Sequence, residues 1–452
     1  MSSKAKEKND MKWWQLSLFG IGCTIGTGFF LGSSLAIQMT GPAILIAFIL
    51  AAIGTYFVFD ALSKMTAQDP QKGGFRTYAK KAYGRWAGFS SGWLYWCSEV
   101  LIMGSQMTAL SIFSRFWFPK VPLWVFATIY AILGLMIILI GVKMLNKLEG
   151  LFAILKISAI LMFVVIAGLA IFGVIEGDTP IRFPKATKDI IPNGFKGLWS
   201  SIIFAYYAFG GIEVLGLMAT RLKDPKEAPK AGKVMLLTLG IVYIISIGLA
   251  TLLVAWNLFH SKQSTFIIAL AAYKLSFIPH VFNASLIIAG FSTMCASLYG
   301  VTSVLVNLGE EGDAPAIFAR KCKLKVPYAT LLLTMLGVTA SIVSALLLPD
   351  KLYEYITTAA GLMILYNCIF ILASSRKILK LKRVDKIKYS IGALFIFIAV
   401  SGTLFHDTSR PGFFISLLFA GLIGIIALIM HFKWNKKEKK EKKILSPWPT
   451  YE

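Results

Sequence analysis

The sequence predicts an all-α integral membrane protein of twelve transmembrane helices, with the first and sixth helices broken. Three observations lead there. Hydrophobic residues fill 57% of the 452 positions and charged residues 15%, too little charge to cover a soluble protein of this length. Apolar stretches near or above about 18 residues, enough to cross roughly 30 Å of hydrocarbon, recur along the chain. Two of those stretches are interrupted by glycines, each of which weakens a helix.

The first stretch, 15–37, follows a polar, basic N-terminal tail (1–14) and has no small-residue cleavage site near its end. It therefore reads as a retained span and not as a removed signal peptide. The second, 41–63, follows "TGP" and closes on Asp60 and Lys64, an i,i+4 pair read as a surface ion pair. The third, 86–113, carries Glu99 and Gln106, two turns apart on one helix face. The fourth is 122–142, and the fifth, 151–174, holds Lys156 about a turn and a half inside. The sixth, 195–219, contains "FAYYAFGGIEVLGLMA". Spans 234–257, 280–308, 327–348 and 353–375 complete a ten-helix unit over 15–375. A basic loop and two more helices, 388–405 and 412–433, fill 376–433, and a basic tail occupies 434–452. Little chain is left for a soluble catalytic domain.

The net charge of +24 is explained by its distribution. Of the 46 Lys and Arg, 35 fall on one predicted side of the membrane and 9 on the other, with Lys156 and Lys196 inside spans. That asymmetry is the positive-inside pattern, and it places both termini in the cytoplasm of a multi-pass protein of the cell membrane. The tail "KWNKKEKKEKK" reads as an anchor near anionic lipid, with no nucleic-acid partner expected. Cys23, Cys97, Cys295 and Cys368 fall in spans and Cys322 in a loop, without CxxC spacing. His260, His280, His406 and His431 fall in loops or at span ends, so no metal or other cofactor is expected.

The segment "GIGCTIGTGFFLG", residues 20–32, admits three readings. Its glycines could allow close helix packing, as GxxxG spacing does in membranes. A dinucleotide fingerprint fails, because no strand precedes it and no acidic residue follows about twenty positions on. The third reading is an unwound helix, whose freed N–H and C=O groups at membrane depth need a polar cavity or a ligand. The second break, Gly210–Gly211 beside Phe209 and Glu213, favours the third. Interrupted first and sixth spans point to an inverted-repeat transporter with its substrate at the midplane. Half-helix N-termini favour a carboxylate and half-helix C-termini an ammonium. An α-amino acid carries both on adjacent atoms, although any small zwitterion would satisfy the same physics.

At these residues the sequence resembles the amino acid–polyamine–organocation superfamily, specifically its bacterial amino acid transporter family. "IGTGFFLG" with the following "TGP" is similar to that family's first span, and "KGGFRTYAKKAYG" to its loop between spans two and three. "GWLYW" resembles its third span, "KLEGLFAILKISAI" its fifth, and "FAYYAFGGIE…KDPKEAPKA" its sixth and following loop. "LGEEGDAPAIFARKCKLKVP" resembles the end of its eighth span and the loop beyond. The resemblance implies a five-plus-five inverted-repeat (LeuT-like) core, with repeats at about 15–174 and 195–375, and amino acid uptake by proton symport.

Carried onto matching positions, it implies that backbone at Gly26, Thr27 and Gly28 holds the carboxylate. Carbonyls near Ile25 and at Tyr207, Ala208, Phe209 and Gly210 would hold the ammonium, with Tyr207 covering the substrate. An ionisable residue inside a span is costly and marks a functional hypothesis. Lys156 is matched to a family lysine that puts its ammonium where sodium-using relatives hold an ion, and it either releases the coupled proton or mimics the ion. A snorkelling structural lysine is the alternative. Glu213 either carries a proton or bonds the unwound segment. Glu99 departs from the family, which has tryptophan there and an acid at Gln106, and Glu99 is a third candidate for proton coupling.

Other classes fit less well. A membrane enzyme would need clustered His, Asp or Glu at one depth, and a channel would need a repeated filter or charge ring. A sensor that binds an amino acid without moving it would share every site residue, and exchange and sodium symport stay open within transport. With no conspicuous acidic pair to receive a cationic side chain, the expected substrate is neutral, an expectation that Glu99 weakens.

Overall fold

The computed structural model describes residues 11–140, 142–177, 181–273, 275, 277–320, 327–347 and 352–445. Cys322, most of the basic stretch around it, and the two chain ends (1–10 and 446–452) lie outside the described residues. Those residues are helical apart from turns, loops and two isolated bridges, Met11 with Leu222 and Gly177 with Tyr273.

The first apolar stretch is three helices, α1 (Trp13–Thr24), α2 (Thr27–Phe30) and α3 (Gly32–Thr40), followed by α4 (Ile44–Gln68). The 64–85 segment is not a plain loop: it contains α5 (Gly74–Tyr83), which leads into α6 (Arg85–Ser114). Next come α7 (Leu123–Ile140) and α8 (Val142–Ile171). The α8 helix starts well before the expected span boundary at 151. "KMLNKLE" is polar enough to end an apolar stretch, yet Leu, Met, Lys and Glu are all good helix formers, so the helix extends through it. That extension puts Glu149 on the helix.

The sixth span is split into α10 (Gly194–Ala208) and α11 (Ile212–Met218), after a short α9 (Thr187–Ile190). Then follow α12 (Ala228–Leu253), α13 (Thr265–Leu270), α14 (Ile278–Glu310), α15 (Tyr328–Leu347), α16 (Leu352–Ile378), α17 (Arg383–Gly402) and α18 (Arg410–Leu445). Among the described residues, eight helical stretches are long and apolar enough to cross a membrane. Two expected spans fall outside those eight for physical reasons. Broken α1 is only 12 residues long, and α6 is diluted by Ser, Gly and Glu on its buried face.

The breaks lie at the centre. α1 packs on α8, α12, α11 and α14, and α10 packs on α3, α4 and α16. One continuous apolar core surrounds both, from Phe29 and Phe48 to Tyr243 and Phe266. Leu237, Phe397 and Ile425 on the outer helices are exposed, as expected of side chains facing lipid tails. At the end of the fold carrying α5, the strand-like pairing of Met11 with Leu222 ties the start of α1 to the segment after α11: Lys223 N–H donates to Met11 O at 3.0 Å.

Candidate functional site: a cavity between two broken helices

Helix α1 stops because Gly26 is extended (φ −151°, ψ −159°), and the ladder resumes when Phe29 and Phe30 N–H donate to Gly26 O, both at 3.1 Å. The N–H groups of Thr27 and Gly28, at the start of α2, therefore have no partner within the helix. Glycine is needed at the break for space: a Cβ on Gly26 would lie 2.7 Å from Thr293 Oγ1, and one on Gly28 2.7 Å from the Tyr207 ring. The second break turns on Gly211, whose φ of +107° suits glycine. Its other glycine neighbours differ in kind. Gly20 and Gly22 sit on packed helix surface, with Leu215 and Met235 against the first and Glu149 against the second, and Gly32 meets nothing closer than Tyr353 Oη at 3.9 Å. The packing and unwinding readings of the glycine run are thus both realised, at different residues.

Between the breaks lies a small cavity of about 30 Å³. Of the residues expected to hold substrate, Gly26, Thr27 and Gly28 from the first break and Tyr207 and Gly210 from the second line it. Ile25, Ala208 and Phe209 do not line it. Ile25 is buried in the core, Phe209 joins an aromatic cluster with Phe48 and Tyr243, and Ala208 O accepts from Tyr243 Oη at 3.2 Å. Tyr207 O accepts from Gly210 N–H at 3.1 Å. The hydroxyls of Tyr207 and Ser105 share a hydrogen bond of 2.6 Å, which closes α10 onto α6 across the cavity. Tyr353 Oη donates to Thr27 O at 3.2 Å.

The wall opposite the breaks is polar. Glu99 and Gln106 from α6 line it, together with Thr293 and Ser297 from α14. Thr24 Oγ1, Thr27 Oγ1, Glu99 Oε2 and Gln106 Oε1 are all buried without a hydrogen-bond partner in the fold. Sequence reasoning did not single out Thr293 and Ser297, small residues with nothing to mark them on an apolar helix.

The three expected proton-coupling residues occupy three different places. Glu99 lines the cavity. Glu213 lines a second, smaller space of about 10 Å³ on the other side of the α10–α11 break, where it accepts from Gly211 N–H at 3.3 Å and from the Cys368 thiol at 3.7 Å. Lys156 is 1% exposed and donates to the carbonyl of Gly22, on the last turns of α1 before the break. Its companion Glu149, 0% exposed, went unnoticed in the sequence although it stands seven residues earlier on the same face of α8. Glu149 Oε2 accepts from Ser292 Oγ of α14 at 2.8 Å. The pair therefore bridges α8 to both α1 and α14.

At the basic end of the bundle a charged cluster is built around Arg76. Arg76 of α5 is 0% exposed and donates through Nε to Gly88 O at 3.2 Å. It also pairs with Asp313, hydrogen-bonds to Asn307, and lies 3.2 Å from Glu311. Arg85 Nε reaches Asp313 at 2.6 Å, and Lys80 reaches Glu311 at 2.6 Å. Burial works to raise the Glu311 carboxyl, but Lys80 and Arg76 outweigh it and hold the group below its ordinary value. The Asp60–Lys64 pair (2.7 Å) is also more than a surface pair. Lys64 reaches Asp385 of α17 at 2.9 Å and Tyr389 Oη donates to Asp60 at 2.9 Å, so the cluster joins α4 to α17. Among the described residues no group of three or more metal-ligating side chains is present.

Comparison with known proteins agrees with this architecture. The amino acid permease family matches residues 15–445. The uncharacterized transporter YcgH of Bacillus subtilis is 51% identical, over 97% of this chain and 98% of its own. The aromatic amino acid transport protein AroP of Escherichia coli is 27% identical over 97% of each chain. The L-asparagine permease of Salmonella typhimurium is 30% identical over 80% of this chain and 74% of its own. A multi-pass membrane protein with this match over nearly its whole length belongs to the amino acid permease family.

Proposed function

We propose that the chain is a secondary active transporter that imports an α-amino acid by proton symport with alternating access. The observation that carries this reading is the cavity itself: two helix breaks face one space, with backbone and side-chain polar groups left without partners. Buried unpaired groups of this kind cost several kcal/mol unless a ligand meets them. The first-turn N–H groups at Gly26 to Gly28 suit the substrate carboxylate, and carbonyls at the second break, that of Gly210 among them, suit its ammonium. Tyr207, bonded to Ser105, covers the site. The names of relatives, which include carriers of aromatic amino acids, of γ-aminobutyric acid and of L-asparagine, support an amino acid substrate without choosing one.

In this reading twelve helices cross the plasma membrane, ten of them as a five-plus-five repeat, with both termini cytoplasmic. The basic end then faces the cytoplasm and its lysines meet anionic lipid. Lys156 supports protons over sodium, because its ammonium already engages the Gly22 carbonyl beside the first break. A sodium ion at the same place would be repelled. The test is uptake of labelled amino acids into proteoliposomes under an imposed proton gradient and then a sodium gradient. Concentrative uptake under the proton gradient alone is expected, and Lys156→Ala is expected to lower its rate about tenfold, about 1.4 kcal/mol on the barrier. Sodium-driven uptake, or full proton-driven uptake by Lys156→Ala, would overturn the coupling scheme. Binding without flux would make the protein a sensor.

A further inference from the structure

Leaving aside the Arg76–Asp313 pair at the basic end, the described residues bury three carboxylates, Glu99, Glu149 and Glu213, and one cation, Lys156. Each carboxylate is served differently. Glu149 stands with Lys156 on α8 and accepts from Ser292. Glu213 accepts from Gly211 N–H and the Cys368 thiol in its own space behind the break. Glu99, 2% exposed, faces the main cavity with Oε2 unpartnered, near Ser297 and Tyr95. Resting on the reading of this cavity as an amino acid site, we propose that Glu99 receives the end of the substrate's side chain, and that this end is a cation, an ammonium or a guanidinium.

Depth supports the assignment. Ser105 bonds Tyr207, and Tyr207 lies against Gly28, so these three residues share the level of the breaks. Glu99 is six residues from Ser105 on α6, about 9 Å along the helix at roughly 1.5 Å per residue. On α14, Thr293 lies against Gly26, and Ser297, beside Glu99, is one turn further. Both helices therefore put Glu99 beyond the end of a short side chain whose α-carboxylate and α-ammonium stay at the breaks. A lysine- or arginine-length chain reaches it. Short neutral chains leave the Glu99 carboxylate desolvated and unpaired, which costs several kcal/mol.

On this proposal the substrate's side chain is cationic, where the sequence reading expects a neutral one. That expectation looked for an acidic pair, whereas one unpaired carboxylate in a closed cavity is enough.

The test is ligand binding to the purified full chain, by scintillation proximity with competition between isosteres. L-Lysine is set against L-norleucine, and L-arginine against L-citrulline. In the unaltered protein the cation of at least one pair is expected to bind at least about tenfold more tightly, as a desolvated charge pair does. In Glu99→Gln that ratio is expected to fall toward one, and in Glu99→Asp, which keeps the charge, to persist at reduced size. Equal binding of cation and isostere in both pairs by the unaltered protein overturns the proposal without needing any variant. So does an unchanged ratio in Glu99→Gln. If no amino acid of any class binds, the amino acid reading of the cavity fails instead, and this proposal fails with it.

Discussion

The cavity between the breaks and the basic-end cluster are built from similar residue types and end in opposite states. At the basic end, buried Arg76 spends its donors on Gly88 O, Asn307, Glu311 and Asp313, and Asp313 is shared with Arg85. In the cavity, Glu99, Gln106, Thr24 and Thr27 each keep a buried oxygen without a partner. A satisfied ionic cluster holds helices together. On the function proposed above, the unsatisfied polar wall takes its missing partners from a ligand. On that proposal the difference separates what closes this protein from what it binds, although the two regions share α6 and α14.

The comparison breaks most visibly at the closed cluster. Asp313→Asn leaves buried Arg76 with Glu311 as its remaining counter-charge, and Arg76→Ala leaves buried Asp313 with Arg85, so a large part of the about 3–5 kcal/mol that breaking a buried pair costs should be lost. A thermal unfolding curve of the purified protein should show a large drop, and α5 should become more accessible to labelling. A double substitution of both residues should recover part of the loss, because it leaves neither charge stranded.

A smaller effect sharpens the other side of the comparison. Gly28→Ala should cut substrate affinity at least about tenfold, since its Cβ would lie 2.7 Å from the Tyr207 ring. Gly32→Ala, four residues on in the same glycine run, should bind normally, because the nearest atom to its Cβ is 3.9 Å away. Equal loss in the two variants would mean that helix propensity, and not the cavity, requires these glycines.

The smallest expected effect is in pH. The Glu311 carboxyl is held below its ordinary value of 4.5 by Lys80 and Arg76 against the opposing pull of burial. A lowered folded value means that its stabilisation is complete above about pH 4.5 and is lost as pH falls through the lower value. The melting temperatures of the unaltered protein and Glu311→Gln should therefore differ at neutral pH and converge in acid.

Much of this was legible in the sequence, and where it was not, the reason is physical. Glycine pairs inside apolar stretches marked both breaks, and Lys156 announced itself as an ammonium among apolar neighbours. Glu149 was hidden because "KMLNKLE" ends an apolar stretch without ending a helix. Its spacing of seven from Lys156 was the available signal. The partner of Arg76 lies 237 residues away, beyond any local pattern. The Asp60–Lys64 pair looked complete at i,i+4, and only the packing of α17 against α4 brings in Asp385 and Tyr389. Thr293 and Ser297 became wall residues because α14 turns that face to the breaks, an orientation that small residues do not encode alone.

The central claim is that an amino acid and a proton cross together through this cavity. The most direct test is proton entry into sodium-free proteoliposomes, followed with a pH-sensitive dye trapped inside. The account predicts that adding substrate outside acidifies the lumen in step with labelled uptake, and that Gly28→Ala suppresses both. Amino acid uptake without acidification would contradict it.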